Sequence, residues 1–243
     1  MLFDESAIRA ALGDPALPLY LYDTIDSTNT ECRRRLAAGE ERCLVLADRQ
    51  TAGRGRSGKN FFSPPRAGLY MSLLFRPEGG PANAVGITTY TAVCVARAVE
   101  TLTGRACGIK WVNDLYLDGK KVCGILTEAV GAHVIVGIGV NLLPTAVPPE
   151  LTGIMGCIGA SGVRDALAGT VARSLLDYVP GDVSHMDEYR RRSVVLGRRV
   201  RFGDREGIAA AIGDDGGLVV ETAEGPVTLR SGEISLSEIE GLF

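Results

Sequence analysis

Two hydrophobic rhythms alternate along the chain. Leu19–Ile25 reads as a strand that leads into a turn, Cys43–Ala47 is a compact apolar strand, and Leu69–Phe75 is another. Between the first two, Thr28 and Glu31 stand at capping-box spacing, which predicts a short helix over Thr30–Ala38 ended by Gly39. From Ala84 to Leu102 the period lengthens. Apolar positions recur at 85, 88, 92, 95, 99 and 102, with Thr88 counted among them, and this predicts a core-facing helix closed by Gly104.

Farther on, Asp118-Gly119 is a two-residue hairpin signal, and Gly131-Ala132 joins Val122–Val130 to His133–Asn141 as a second tight turn. Hairpin-linked strands pair antiparallel. With helices before and after them, the main body is predicted to be α+β: a mixed, largely antiparallel sheet with packed helices. Pro144, Pro148 and Pro149 mark a loop, and Val163, Leu167, Val171, Leu175 and Val179 form a helical stripe stopped by Pro180-Gly181. A short polar helix over 186–192 then connects to a different texture. Short strands at Arg199–Phe202, Gly207–Ile212, Leu218–Thr222 and Val227–Arg230, separated by Gly- and Asp-rich turns, predict a small barrel. The expected division is 1–192 for the main domain and 193–243 for the barrel, with no internal repeat.

Composition narrows the classes. The chain has 243 residues, 46% hydrophobic and 23% charged, with a formal charge of −3, so no global field draws it to nucleic acid or an anionic membrane. No apolar run is long enough to span a bilayer, and the acidic start Met-Leu-Phe-Asp-Glu-Ser lacks a secretory signal. Six scattered cysteines without a Cys-x-x-Cys pair, and only His133 and His185, predict reduced thiols in a cytoplasmic protein and no zinc or iron–sulfur site.

Against that mildly acidic background, residues 48–64 stand out. Arg49, Arg54, Arg56 and Lys59 share a loop with Gly53, Gly55 and Gly58. Glycine lets backbone approach a ligand closely, and arginine offers a planar fork of donors to phosphate or carboxylate. Taken alone, such a stretch is equally a solvated basic loop. A second cationic group, Lys110, Lys120 and Lys121 with Asn113 and Asp114, lies at the strand ends and turn of a hairpin beside Trp111. Together the two segments would surround an anion with more positive charge than folding requires.

These segments resemble the biotin–protein ligases. The loop Gly53-Arg54-Gly55-Arg56-Ser57-Gly58-Lys59 is similar to that family's Gly-Arg-Gly-Arg-x-Gly-Arg signature, and Lys110-Trp111-Val112-Asn113-Asp114 to its Lys-Trp-Pro-Asn-Asp element. Asp26–Asn29, Lys121–Leu126, Gly137–Asn141 and Gly232–Leu236 match further motifs in order. The resemblance implies a fold like that of class II aminoacyl-tRNA synthetases and biotinyl synthetases, with a C-terminal SH3-like barrel. It implies two steps: biotin and ATP give biotinyl-5′-AMP, and a lysine of a carboxylase's biotin carboxyl-carrier domain then takes the biotin. Magnesium is expected to arrive with ATP, because no clustered carboxylates mark a dedicated cage.

By the same resemblance, Ser27, Thr28, Asn29 and Gln50 bind the biotin head, and Gly53, Arg54, Gly55 and Arg56 close over carboxylate and phosphate. Lys121 contacts both groups, and Gly124, Gly137 and Asn141 line the biotin and adenine ends. Lys59, Phe61, Lys110, Trp111 and Asn113 fall on the nucleotide side, and Asp114 is the candidate for orienting the acceptor lysine. Arg56, Lys121 and Asp114 are the expected catalytic set. Three positions depart from the family pattern: Lys59 for arginine, Val112 for proline and Phe61 for tryptophan. The glycine loop is expected to be mobile when empty and to order over ligand.

Asp26, the start of the first motif, leaves no room in this sequence for an N-terminal helix-turn-helix, so DNA binding is not expected; the chain is expected as a monomer or homodimer. Two other readings compete with this one. A lipoate ligase or octanoyl transferase would carry an Arg-Arg-x-Ser-Gly-Gly-Gly-x-Val-x-His-Asp stretch, which is missing. A non-catalytic biotin or nucleotide sensor would have shed Lys121 or Arg56, and both are present.

Overall fold

The computed structural model describes residues 3–78, 80 and 84–236. Glu5–Leu12 forms helix α1, which the hydrophobic pattern had not disclosed. Asp4 caps it by accepting from the Ala7 amide at 3.0 Å, and Gly13 closes it in the left-handed region. Strand β1 (Leu19–Ile25) leads into α2 (Thr28–Ala37), and β2 (Cys43–Gln50) follows. The cap of α2 is Ser27, one residue earlier than the expected Thr28, because its hydroxyl faces the Thr30 amide while Thr28 turns inward. Glu31 does not complete a capping box; it binds Tyr22, Arg34 and Arg35.

After β3 (Gly68–Phe75) come α3 (Ala84–Thr103) and four more strands: β4 (Gly108–Lys110), β5 (Asp114–Leu117), β6 (Lys120–Val130) and β7 (His133–Asn141). Asp118 and Gly119, at φ 51° and 70°, make the predicted tight turn between β5 and β6. Among the described residues these strands form one seven-stranded sheet in the order β1-β2-β3-β7-β6-β5-β4. Every ladder is antiparallel except β1 with β2, which are parallel and joined across α2.

Strand alternation explains how the sheet is covered. Thr127 of β6 bonds Thr88 of α3, so that face of the sheet packs on α3 and on α4 (Arg164–Leu176), with α1 outside α4. Leu44, Leu46, Leu69, Met71, Leu73, Val134, Val136 and Val140 fill this core. The opposite face carries Cys43, Val45, Leu74 and Ile135 against Cys32 of α2, a much smaller cluster. Beside α2 that second face presents Gly124, Gly137 and Gly139, and there a hollow is left.

Helix α5 (Met186–Arg191) leads into a second sheet built from β8 (Arg199–Phe202), β9 (Arg205–Ile212), β10 (Leu218–Thr222), β11 (Gly225–Leu229) and β12 (Ser235–Leu236). The order is β11-β10-β9-β8-β12, antiparallel throughout. The expected barrel is not seen closed: among the described residues no ladder joins β11 to β12, of which only two residues are paired. Also among the described residues, no helix is long and apolar enough to cross a membrane.

Candidate active site

A cavity of about 350 Å³ occupies the hollow, within the size range of small-molecule sites. Its floor is backbone. Gly124 of β6 is paired with Gly139 of β7, and Gly137 stands opposite Leu126. Side chains here would fill the space. A Cβ on Gly137 would lie 2.1 Å from Asn29 Oδ1, and one on Gly139 would lie 2.3 Å from the Phe61 ring. The glycines thus let α2 and the Phe61 segment come down onto the sheet.

One end of the cavity is polar and largely uncharged. The N-terminal turn of α2 brings in Ser27, Thr28 and Asn29, and the end of β2 supplies Gln50. Gln50 Oε1 accepts from the Thr28 amide at 2.9 Å and from its hydroxyl at 3.2 Å, while Gln50 Nε2 donates to Ser63 Oγ at 2.9 Å. Ser72 Oγ lies 2.7 Å from Thr28 Oγ1 and 2.6 Å from Asn29 Oδ1, and Asn29 Nδ2 donates to Glu128 at 2.8 Å. Each side-chain amide therefore has a fixed orientation. Such a preorganised set of donors and acceptors suits a neutral ligand head that has both.

The other end is cationic. Arg54, Arg56 and Lys59 from the glycine loop, Lys110 from β4 and Lys121 from β6 all line it. Arg56 Nη1 donates to Asn113 Oδ1 at 2.9 Å, Asn113 Nδ2 donates to Asp114 at 3.0 Å, and Lys121 Nζ pairs with Asp114 at 2.7 Å. One relay thus joins the two segments that are distant in sequence. The loop is held by its own ladder: Gly55 N donates to Lys59 O at 2.7 Å and Phe61 N to Gly53 O at 2.9 Å. Its outer side meets the second sheet, where Arg56 bonds the Gly232 carbonyl at 3.0 Å and Lys59 pairs with Glu233 at 2.5 Å.

Burial sets the charge balance. It lowers the pKa of Lys110; Asp114 counteracts this and Lys121 adds to it. Burial also pushes Glu128 up, but hydrogen bonds from Asn29 and Arg33 and the charges of Arg33 and Arg54 outweigh it, so its carboxyl stays below the usual range. Glu233 is lowered chiefly by its hydrogen bond from Lys59.

Of the site residues expected from sequence, Ser27, Thr28, Asn29, Gln50, Arg54, Gly55, Arg56, Lys59, Phe61, Lys110, Trp111, Asn113, Asp114, Lys121, Gly124 and Gly137 all line this cavity. Gly53 and Asn141 stand outside the lining. A Cβ on Gly53 would meet Phe61 O at 2.4 Å, so this glycine serves the close return of the loop. Asn141 is buried and donates to Gly156 O at 3.0 Å, which ties the segment after β7 to the sheet. Sequence reasoning left out Glu128, Ser63, Ser72 and Gly139. Glu128 was findable, because it shares the period-two face of β6 with Gly124 and Leu126.

Sheet, hollow and cationic relay define a class of small-molecule-handling α+β domain, and comparison with known proteins places the chain within it. Residues 21–141 match the family model described as Biotin/lipoate A/B protein ligase family, and residues 195–237 match Biotin protein ligase C terminal domain. Biotin–[acetyl-CoA-carboxylase] ligase of Mycobacterium tuberculosis is 30% identical over 251 residues, spanning 95% of this chain and 94% of that protein. The bifunctional ligase/repressor BirA of Escherichia coli is 32% identical, spanning 89% of this chain and 73% of that one. Among solved structures, the biotin protein ligase from Aquifex aeolicus in complex with biotin and ATP superposes with a TM-score of 0.78 at 27% identity, covering 91% of this chain and 99% of that one. The chain belongs to the biotin protein ligase family.

Proposed function

We propose that this chain is an ATP-dependent biotin–protein ligase that makes biotinyl-5′-AMP and passes biotin to a lysine of a biotin carboxyl-carrier domain. The observation that carries the reading is the relay Arg56–Asn113–Asp114–Lys121 in a cavity whose other end is a preorganised polar network. The ureido head, two N–H donors and one carbonyl, sits among Ser27, Thr28, Asn29 and Gln50. The valeryl chain crosses the glycine floor of Gly124 and Gly137, and its carboxylate reaches the cations.

In the first step a carboxylate oxygen attacks the α-phosphorus and the bond to pyrophosphate breaks. Both reactants are anions, so positioning and charge neutralisation supply the catalysis. Arg56 and Lys121 hold the carboxylate and α-phosphate, with Arg54 beside them. Lys59 and Lys110 face the rest of the triphosphate, while Phe61, Trp111, Asn113 and Gly55 shape the nucleotide side. In the second step the acceptor amine attacks the anhydride carbonyl, a C–N bond forms and AMP leaves. Asp114 orients that amine once ligand charge has drawn Lys121 away from it. Magnesium comes with the triphosphate, and no step is routed through a protein-held ion.

The domain division at 192/193 belongs to the same proposal, with 193–243, of which 237–243 lie outside the described residues, as an SH3-like barrel whose Gly232-Glu233 turn caps the cationic end. Biotin-dependent ATP–pyrophosphate exchange tests the reading. Wild-type protein should exchange, and Lys121→Ala should lower the rate by roughly 10²–10³, the loss typical of removing one preorganised donor. No exchange in wild type, or exchange indifferent to the substitution, would sink the assignment.

A further inference from the structure

Glu128 of the floor strand β6 stands behind the cavity lining, bound to two of its residues, Asn29 and Arg54, and it holds three partners at once. Its Oε2 accepts from Asn29 Nδ2 at 2.8 Å, and its Oε1 lies 2.9 Å from Arg33 Nη2 and 3.2 Å from Arg54 Nη2. The side chain is only 14% exposed. Arg33 and Asn29 are on α2, Glu128 is on β6, and Arg54 belongs to the glycine loop. A single carboxylate thus joins helix, sheet and loop at the head-group end of the site. The two loop arginines consequently differ. Arg56 points toward Asn113 and the relay, whereas the Arg54 guanidinium is engaged with Glu128.

We propose that Glu128 is a positioning residue that clamps the start of the glycine loop through Arg54 and fixes the amide of Asn29, so that the loop pivots from an anchored Arg54 and delivers Arg56. The inference rests on the biotin-ligase reading above for its kinetic consequences, but not for its structural ones. Asn29 has little freedom while the clamp holds, since Ser72 takes its oxygen and Glu128 its nitrogen. Releasing Glu128 frees one end of that amide and one end of the loop together. The charge is essential to this role: a neutral acceptor still satisfies Asn29 but no longer holds two guanidinium groups.

The test compares Glu128→Gln, Arg54→Ala and the double variant. Arg54→Ala keeps the Glu128–Arg33 pair and the Asn29 bond, so a folding failure of Glu128→Gln does not remove the test. In the ligand-free protein, amide exchange at Gly55 and Phe61 should speed up about tenfold or more in each single variant. In pyrophosphate exchange, Glu128→Gln should raise the KM for biotin about tenfold while kcat changes less than about threefold, and Glu128→Asp should restore part of the loss. The double variant should show a KM no worse than the poorer single one, as expected of residues acting through one contact. Unchanged loop exchange in both single variants, or additive KM effects, would overturn the clamp. Wild-type protein that fails to exchange pyrophosphate would sink the ligase reading, and amide exchange would still decide the clamp.

Discussion

At the scale of single residues, the site depends as much on atoms left out as on charges brought in. Gly137 allows the Asn29 amide to lie on the sheet, and that amide cannot retreat because Ser72 and Glu128 hold it at both ends. Gly137→Ala should therefore cost about 1–3 kcal/mol of stability, the usual range for overpacking, and weaken biotin binding at least tenfold by calorimetry. Lys110 illustrates the opposite economy. Its folded-state pKa is lowered, mainly by burial, so between that value and the unfolded one the unfolded chain binds more protons, and stability rises with pH across that window. Below it, the buried charge is a constant penalty. Lys110→Met should raise the Tm at pH 7 by a few degrees, since roughly 2–4 °C corresponds to 1 kcal/mol in a chain of this length. The same variant should flatten the alkaline rise and slow pyrophosphate exchange. A lower Tm would show that Lys110 instead makes a stabilising contact.

At the scale of elements, helix packing is set by small residues too. Gly169 of α4 lies against α1, where a Cβ would meet Ile8 O at 2.4 Å and Leu12 N at 2.8 Å. Helix propensity alone favours Gly169→Ala by about 1 kcal/mol. The contact with rigid backbone should reverse that sign, giving a net loss of about 1–3 kcal/mol in urea unfolding; a gain would mean that α1 yields easily. The strands and the long helix α3 were legible because strict periodicity and the Asp118-Gly119 and Gly131-Ala132 turns are local signals. Helix α1 was not, although Asp4, Ile8, Leu12 and Gly13 are a cap, a stripe and a stop: eight residues carry too few apolar repeats to stand out. The cationic half of the site was legible because arginine and lysine clustered among glycines. Ser72 was not, because a lone polar residue in an apolar strand acquires meaning only when pairing shows which face it shares. The cap of α2 was misplaced by one residue for a related reason, since Ser27 and Thr28 are both competent caps and only the inward turn of Thr28 toward Gln50 separates them.

At the scale of the whole molecule, the second sheet shares one buried core with the first. Val195, Val200, Ala209, Ile212, Leu218 and Val220 belong to the same buried cluster as Leu69, Val136 and Val171. Polar contacts reinforce the junction. Trp111 Nε1 donates to Gly216 O at 2.8 Å, and Arg190 Nε to Ile212 O at 2.8 Å. Trp111 is the only tryptophan in the chain, lines the cavity and is 3% exposed, so its emission reports docking of the second sheet and integrity of the site together. A shared core makes unfolding cooperative. Urea transitions followed by tryptophan emission and by far-UV circular dichroism should therefore coincide. Arg190→Ala should shift both to lower urea by the same amount, because Arg190 ties Ile212 and Asp214 to the helix beneath the cavity wall. If emission instead reddened before helicity was lost, the second sheet would be undocking as a separate unit. The cationic end would then lose Gly232 and Glu233, the contacts that hold Arg56 and Lys59 in place, before the rest of the fold had given way.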